Sequence, residues 1–397
     1  MRVLLFSWEY PPHVVGGLGR HVCDLVPALV GLGVEVDVVT PRRAGGEAQE
    51  QSAGLAVHRV ESSDASPSDF LSGVLQTNNR LQEQASGLCE TRQFDLIHNH
   101  DWLTAFAANA VKRGSMIPLL STIHATERGR GRGNLWTDQQ RAIHSAEWWL
   151  VHESWRVITC SLFMANEVST YFQASAGKID VIPNGVTADR FARWEGLDLS
   201  RFRSMYALPE ERVVLYVGRI VQEKGLGPLV EAVPRVLAEH PEAKFVIAGM
   251  GDLMEPLRHR AWQLGVGSKV LFTGYIPDED RDRLYKVADC AVFPSLYEPF
   301  GIVALEAMAA RAPVVVSLVG GLQEVVKHGE TGITVYPDNP ESLAWGINHT
   351  LARPDWAAQR AANAYKLVLE EYNWARIAQR TSGVYERVVA ERPKPAW

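Results

Sequence analysis

Ser295-Leu296-Tyr297-Glu298-Pro299-Phe300-Gly301-Ile302-Val303-Ala304-Leu305-Glu306-Ala307-Met308 sets two carboxylates, Glu298 and Glu306, with seven residues between them. Pro299 and Gly301 interrupt the first half of the stretch, and apolar residues dominate the second. A loop therefore gives way to a helix near Gly301, with Glu306 more than two turns beyond Glu298. The stretch follows a short apolar run, Ala291 to Phe293, and another, Val314 to Val316, lies downstream. Such runs, bounded by turn residues and separated by amphipathic segments, are the pattern of buried parallel strands joined by helices.

The same alternation extends outward in both directions. Upstream lie Val213 to Val217, Phe245 to Ala248 and Val270 to Phe272, in a series that begins near Ile179-Asp180-Val181. Before these come Val3 to Phe6, Val34 to Val39, Leu96 to His98, Leu119 to Ile123 and Val157 to Thr159. Two α/β units with doubly wound sheets follow, which suits a chain of 397 residues, too long for one core. The expected division is 1–176, 177–371 and a last helical segment, 372–397, returning to the first unit. Trp374, Ile377, Val384, Val388 and Val389 line the apolar face of that helix, and Arg392-Pro393-Lys394-Pro395 ends it. Gly45 through Gly54 and Ser62 to Ser68 read as loops inside the first unit.

Other stretches carry chemistry. Glu9-Tyr10-Pro11-Pro12-His13-Val14-Val15-Gly16-Gly17-Leu18-Gly19 is a glycine-rich turn between the first strand and a helix. Its amides and helix dipole suit a phosphate, although a plain tight turn accounts for the glycines equally well. Tyr216-Val217-Gly218-Arg219-Ile220-Val221-Gln222-Glu223-Lys224-Gly225 ends a strand, and Arg219 and Lys224 can converge on a diphosphate or stay a solvated pair.

With the carboxylate pair these segments resemble, in order and over nearly the whole chain, the E-x7-E retaining glycosyltransferases of the GT-B fold, in particular the glycogen-synthase-like subgroup. The loop matches that subgroup's P-P-x-x-x-G-G-x-G, and Val14 stands where starch-type synthases carry lysine. The resemblance implies two Rossmann-like domains whose parallel sheets face each other across a deep cleft. It implies a donor site in which Glu298 holds sugar hydroxyls and the amides of Phe300, Gly301 and Ile302 face the diphosphate. Glu306 takes the ribose, Gly16, Gly17, Arg219 and Lys224 meet the phosphates, and the backbone near Ile276 meets the base. His98-Asn99-His100-Asp101-Trp102 and Thr122-Ile123-His124-Ala125-Thr126-Glu127 resemble acceptor-side segments of the same family, with His124 contacting the transferred sugar. Asp101 is otherwise a helix N-cap, and His124 a hydrogen-bonded strand-end histidine. Arg128-Gly129-Arg130-Gly131-Arg132-Gly133 is either a cationic lip that would take a phosphorylated acceptor at Arg130 or a solvated loop.

The implied activity is transfer of a hexose, glucose foremost, from ADP-glucose or UDP-glucose to a glucan or oligosaccharide in α-1,4 linkage. His124, Arg219, Lys224 and Glu298 carry it, without metal or other cofactor. A phosphorylated sugar (as in maltose-1-phosphate synthesis), a lipid acceptor, or a non-catalytic sugar-binding role are the alternatives. Composition agrees: 46% hydrophobic, 22% charged and a net charge of −6 give no reason to expect nucleic acid or an anionic membrane as partner. Cys23, Cys89, Cys160 and Cys290 have no zinc spacing, and with neither signal-like start nor membrane-length run, the cytoplasm is expected.

Overall fold

The computed structural model describes residues 1–43, 45–63 and 70–391. Most of the expected Ser62 to Ser68 loop, from residue 64 on, and the Arg392 to Pro395 tail lie outside the described residues. The chain forms two α/β units: Met1–Gly185 together with the segment from Trp374 onward, and Val186–Asn373.

In the first unit the strands are β1 (Arg2–Phe6), β2 (Glu35–Arg42), β3 (Gln49–Ser52), β4 (Leu55–Glu61), β5 (Leu96–His100), β6 (Leu119–Ile123), β7 (Arg156–Thr159) and β8 (Ile179–Val181). They pair in the order β3-β4-β2-β1-β5-β6-β7-β8, parallel throughout except for the β3–β4 hairpin. Val3, Leu4, Leu5 and Phe6 are fully buried, which is why β1 reads as an unbroken apolar run. Helix Gly17–Gly31 packs Val22, Leu25, Val26 and Leu29 into the core beside β1. Helix Trp374–Glu391 joins the same core through Trp374, Ile377, Tyr385 and Val388. Each such side chain contributes about 1.5 to 3 kcal/mol of burial.

Three expectations change here. The segment Ile179-Asp180-Val181 pairs with β7 and closes the first sheet, so the division falls after Gly185 rather than at 176/177. Gly45 through Gly54 is not all loop, because Gln49–Ser52 forms an edge strand. Its four residues are exposed and polar, so no buried face left a hydrophobic period to read. Val389 is 37% exposed, one position round the helix from buried Val388, and Tyr385 fills the face instead.

In the second unit β9 (Arg212–Val217), β10 (Ala243–Ala248), β11 (Val270–Gly274), β12 (Cys290–Phe293), β13 (Val314–Ser317) and β14 (Ile333–Val335) are all parallel, in the order β11-β10-β9-β12-β13-β14. Chain order reverses direction between β9 and β12, and in the first unit between β1 and β5. Crevices outside the carboxyl ends of strands at such switch points are where open α/β sheets bind ligands. The segments after β9, β12, β1 and β5 carry most of the candidate residues, while His124 and Arg130 follow β6 and Ile276 follows β11.

Candidate functional site

At the β9–β12 switch point of the second unit, the segments after the two strands are stitched together. The amides of Leu296 and Tyr297 donate to the carbonyl of Glu223 at 2.8 and 3.2 Å. Gly225 holds φ at +67°, and a Cβ there would stand 2.0 Å from the carbonyl oxygen of Pro294. Only glycine satisfies both demands at once. The approach lets Lys224 Nζ donate to Glu298 Oε2 at 2.6 Å, with Ser295 Oγ donating to the same oxygen at 3.2 Å. Both charged side chains are largely buried, so the pair is poorly screened. Arg219 is more exposed and pairs with Glu223 at 2.9 Å, while its carbonyl accepts from Tyr216 Oη. Arg219, Lys224 and Glu298 thus come from one place in the fold.

Gly301, at φ +107°, is the N-cap of helix Ile302–Ala309 and supplies no side-chain cap. The Ala304 amide donates to the Gly301 carbonyl at 3.0 Å, and the amides before it stand at the helix's positive end. Backbone approach from the other side is close as well: Gly321 donates to the Glu298 carbonyl at 2.9 Å, and a Cβ on it would meet Phe300 Cα at 2.6 Å. Glu306, on the second turn, is buried and turned toward cations. Its Oε1 lies 3.0 Å from Arg190, Oε2 accepts from Tyr285 Oη at 3.3 Å, and Arg281 stands at 3.7 Å. Asp282, whose carboxyl burial pushes up, shares Arg190 at 2.9 Å. Ile276 is half-buried in the turn after β11, at the far edge of the sheet.

In the first unit the glycine-rich turn already holds an anion of its own. Glu9 Oε2 accepts from the amides of Val15 and Gly16 at 2.8 and 3.0 Å, and Gly19 gives the carboxylate room, since a Cβ there would stand 2.4 Å from it. Gly17 begins the helix. A phosphate reaching the Gly16 amide must therefore displace Glu9.

Asp101, directly after β5, has φ +58° and does not cap the short helix Trp102–Thr104. Its Oδ1 instead accepts from the backbone amide of His124 at 2.7 Å, and burial pushes its carboxyl up to about 7, against the opposing pull of the His124 amide and the Arg130 charge. His124 Nε2 lies 3.0 Å from His100 Nδ1. His21 and His100 pack against it and His98 against His100, and burial holds all four imidazoles well below the usual range, so they are neutral. Outside hydrogen bonds orient the outer rings: Asn184 to His21 at 2.7 Å, and Tyr385 and Thr122 to His98 at 2.7 and 2.8 Å.

His21, His100 and His124 are the one set of potential metal ligands among the described residues, each offering one nitrogen, all within 4.8 Å of one another.

The arginine-rich segment is not a loose lip. Glu127–Arg130 is a helical turn capped by Thr126 Oγ1, which accepts from Gly129, and Glu147 accepts the Glu127 amide at 2.8 Å. Arg128 is turned back onto the Gly133 carbonyl and the Tyr171 ring, leaving Arg130 and Arg132 exposed. The capping threonine and the acid after it were legible signals of this turn. Sequence reading passed over Glu9, inside a quoted motif, and Arg190, which no local pattern marks.

Two families match the chain: Glycosyltransferase Family 4 over residues 15–190 and Glycosyl transferases group 1 over residues 201–367. An uncharacterized glycosyltransferase of Methanocaldococcus jannaschii is 41% identical, covering 97% of this chain and 98% of its own. Glycogen synthase of Mycobacterium tuberculosis is 36% identical, covering 97% and 94%. Among solved structures, sucrose-phosphate synthase from Thermosynechococcus elongatus superposes with a TM-score of 0.84 at 26% identity, covering 98% of this chain and 99% of that one.

Proposed function

The chain belongs to the group 1 and family 4 glycosyltransferases with the GT-B fold, and from that premise we propose that it is a retaining hexosyltransferase moving glucose from ADP-glucose or UDP-glucose to a glucan in α-1,4 linkage. The observation that carries this reading is the Lys224–Glu298 contact at 2.6 Å, which puts a cation and a hydroxyl acceptor side by side at the switch point. Glu298 accepts from the donor sugar's hydroxyls and positions it. Lys224 and Arg219 stabilise the charge that develops on the departing diphosphate, and the amides at the start of helix Ile302–Ala309 add to it. Glu306, beside Arg190 and Tyr285, takes the ribose hydroxyls.

Retention follows from attack on the face the diphosphate leaves, with a phosphate oxygen taking the acceptor's proton. Asp101 and His124 supply the acceptor side. A neutral His124 donates or accepts a hydrogen bond without placing a charge against the sugar. The 36% identity to a glycogen synthase supports a glucan acceptor. Exposed Arg130, whose charge acts on Asp101, favours a phosphorylated sugar as the second reading.

Incubation with UDP-glucose and ADP-glucose, each with maltooligosaccharide, glycogen and glucose-1-phosphate, decides among these. The expected result is acceptor-dependent release of nucleoside diphosphate and an α-1,4-extended maltooligosaccharide, read by proton NMR of the new anomeric centre. Release with glucose-1-phosphate alone selects the second reading, and a β-anomer sinks retention.

A further inference from the structure

The second unit carries an aromatic groove that the transfer chemistry does not use. It lies beside β14, with a volume of about 660 Å³, and its lining includes Leu318, His328, Tyr336, Asn339 and Trp345. Tyr336 is 68% exposed and Trp345 48%, although a protein of this size has ample core for such rings. They are not scattered. The His328 ring, before β14, lies nearly parallel to Trp345 at 6.3 Å, and on helices Pro340–Ala352 and Pro354–Glu371 His349 follows at 5.3 Å and Trp356 at 6.5 Å, with Arg353 over Trp356 and 2.6 Å from His349.

We propose that this groove is a second carbohydrate site, holding a neutral α-glucan chain apart from the Lys224–Glu298 centre, an inference that rests on the glucan reading. Exposed aromatic rings suit the apolar faces of pyranose rings, and the hydroxyl, amide and carboxylate groups that line the groove with them (Thr334, Ser342, Asn339, Glu341) suit their hydroxyls. The groove's lining carries one acidic group, Glu341, which pairs with Arg235 at 3.4 Å, and no lysine or arginine, so a neutral ligand suits it better than an anionic one. A peptide adding a strand is excluded by the edge of the sheet. The outward amides of β14 and the residue after it are already taken, Thr334 N by His328 Nδ1 at 3.1 Å and Tyr336 N by Ser342 Oγ at 2.9 Å.

The test is binding of maltoheptaose by calorimetry and retardation in glycogen-containing native gels, on the whole chain. Trp345→Ala and Tyr336→Ala should each weaken binding about tenfold, with Trp345→Tyr restoring most of it. The kcat on maltotriose stays as in the wild type, while KM for glycogen rises. Lys224→Ala should abolish transfer yet bind glycogen normally. Wild-type retardation unchanged in both aromatic variants overturns the inference and leaves the transfer reading intact. Absence of any glucan binding by the wild type overturns it as well, and if transfer to glucan is also absent the functional reading falls with it. A dimer that dissociates on Trp345→Ala would assign the face to a second copy of the chain and overturn the carbohydrate site.

Discussion

Lys224→Met separates catalysis from folding at one contact. The pair it breaks is short, 2.6 Å, and both partners are mostly withdrawn from water, with Lys224 17% and Glu298 10% exposed in their side chains. Removing one partner of a buried pair leaves the other charge uncompensated and costs about 3 to 5 kcal/mol in a fully buried setting. Residual exposure and the hydroxyl of Ser295 reduce this to about 2 to 3 kcal/mol here. The catalytic loss has a different origin. A preorganised cation at the leaving group is comparable to one oxyanion-hole donor, about 10² to 10³ in kcat, or roughly 2.7 to 4 kcal/mol.

The double variant Lys224→Met/Glu298→Gln separates the two effects. With neither charge present, no charge is left unpaired, and stability returns to within about 1 kcal/mol of wild type. Turnover does not return, because neither the cation nor the carboxylate is there. Urea unfolding gives the stability of each variant, and acceptor-dependent release of nucleoside diphosphate gives kcat. Wild-type turnover in the double variant would refute the catalytic assignment, as would a Lys224→Met loss of activity no larger than its unfolded fraction explains.

Two further outcomes follow from single positions. Asp101→Asn tests the buried carboxyl: a group whose folded pKa is raised to about 7 takes up a proton on folding, so its contribution to stability is present at low pH and lost as pH rises through 7. Measured by urea unfolding against wild type, the variant should gain about 2 to 3 kcal/mol in relative stability between pH 5 and pH 8, and a pH-independent difference would rule the protonated acid out. Gly225→Ala forces a Cβ into the Pro294 carbonyl at a left-handed φ, so it should destabilise by more than about 2 kcal/mol and pull Lys224 off Glu298, lowering kcat with it. Normal stability there would show that the two segments part easily.

How far the sequence spoke depended on whether a residue's role is written in its neighbours. The buried strands announced themselves, because a strand covered on both faces must be apolar along its length, as Val3 to Phe6 and Val213 to Val217 are. Gln49–Ser52 was silent because an exposed edge strand has no such constraint, and Ile179–Val181, half-buried, was assigned to the wrong sheet because pairing partners leave no local mark. The site divides along the same line. Lys224 and Glu298 could be singled out from their motifs, but their contact with each other and the demand for glycine at Gly225 emerge only when the two segments meet, because a pairing partner leaves no mark on its own neighbours. Glu306 could be located but not understood: its partners Arg190, Arg281 and Tyr285 lie 116, 25 and 21 residues away and meet it only once β9, β12 and the intervening helices are packed. Glu9 reverses the case. The glycine turn reads equally as a phosphate cradle and as a plain tight turn, yet the same stretch supplies the carboxylate that occupies its amides. A turn built to hold an anion satisfies its amides in the absence of ligand, so any phosphate that binds there competes with Glu9 rather than with water. The affinity of that turn is then set by the difference between two anions, which no count of glycines could have revealed.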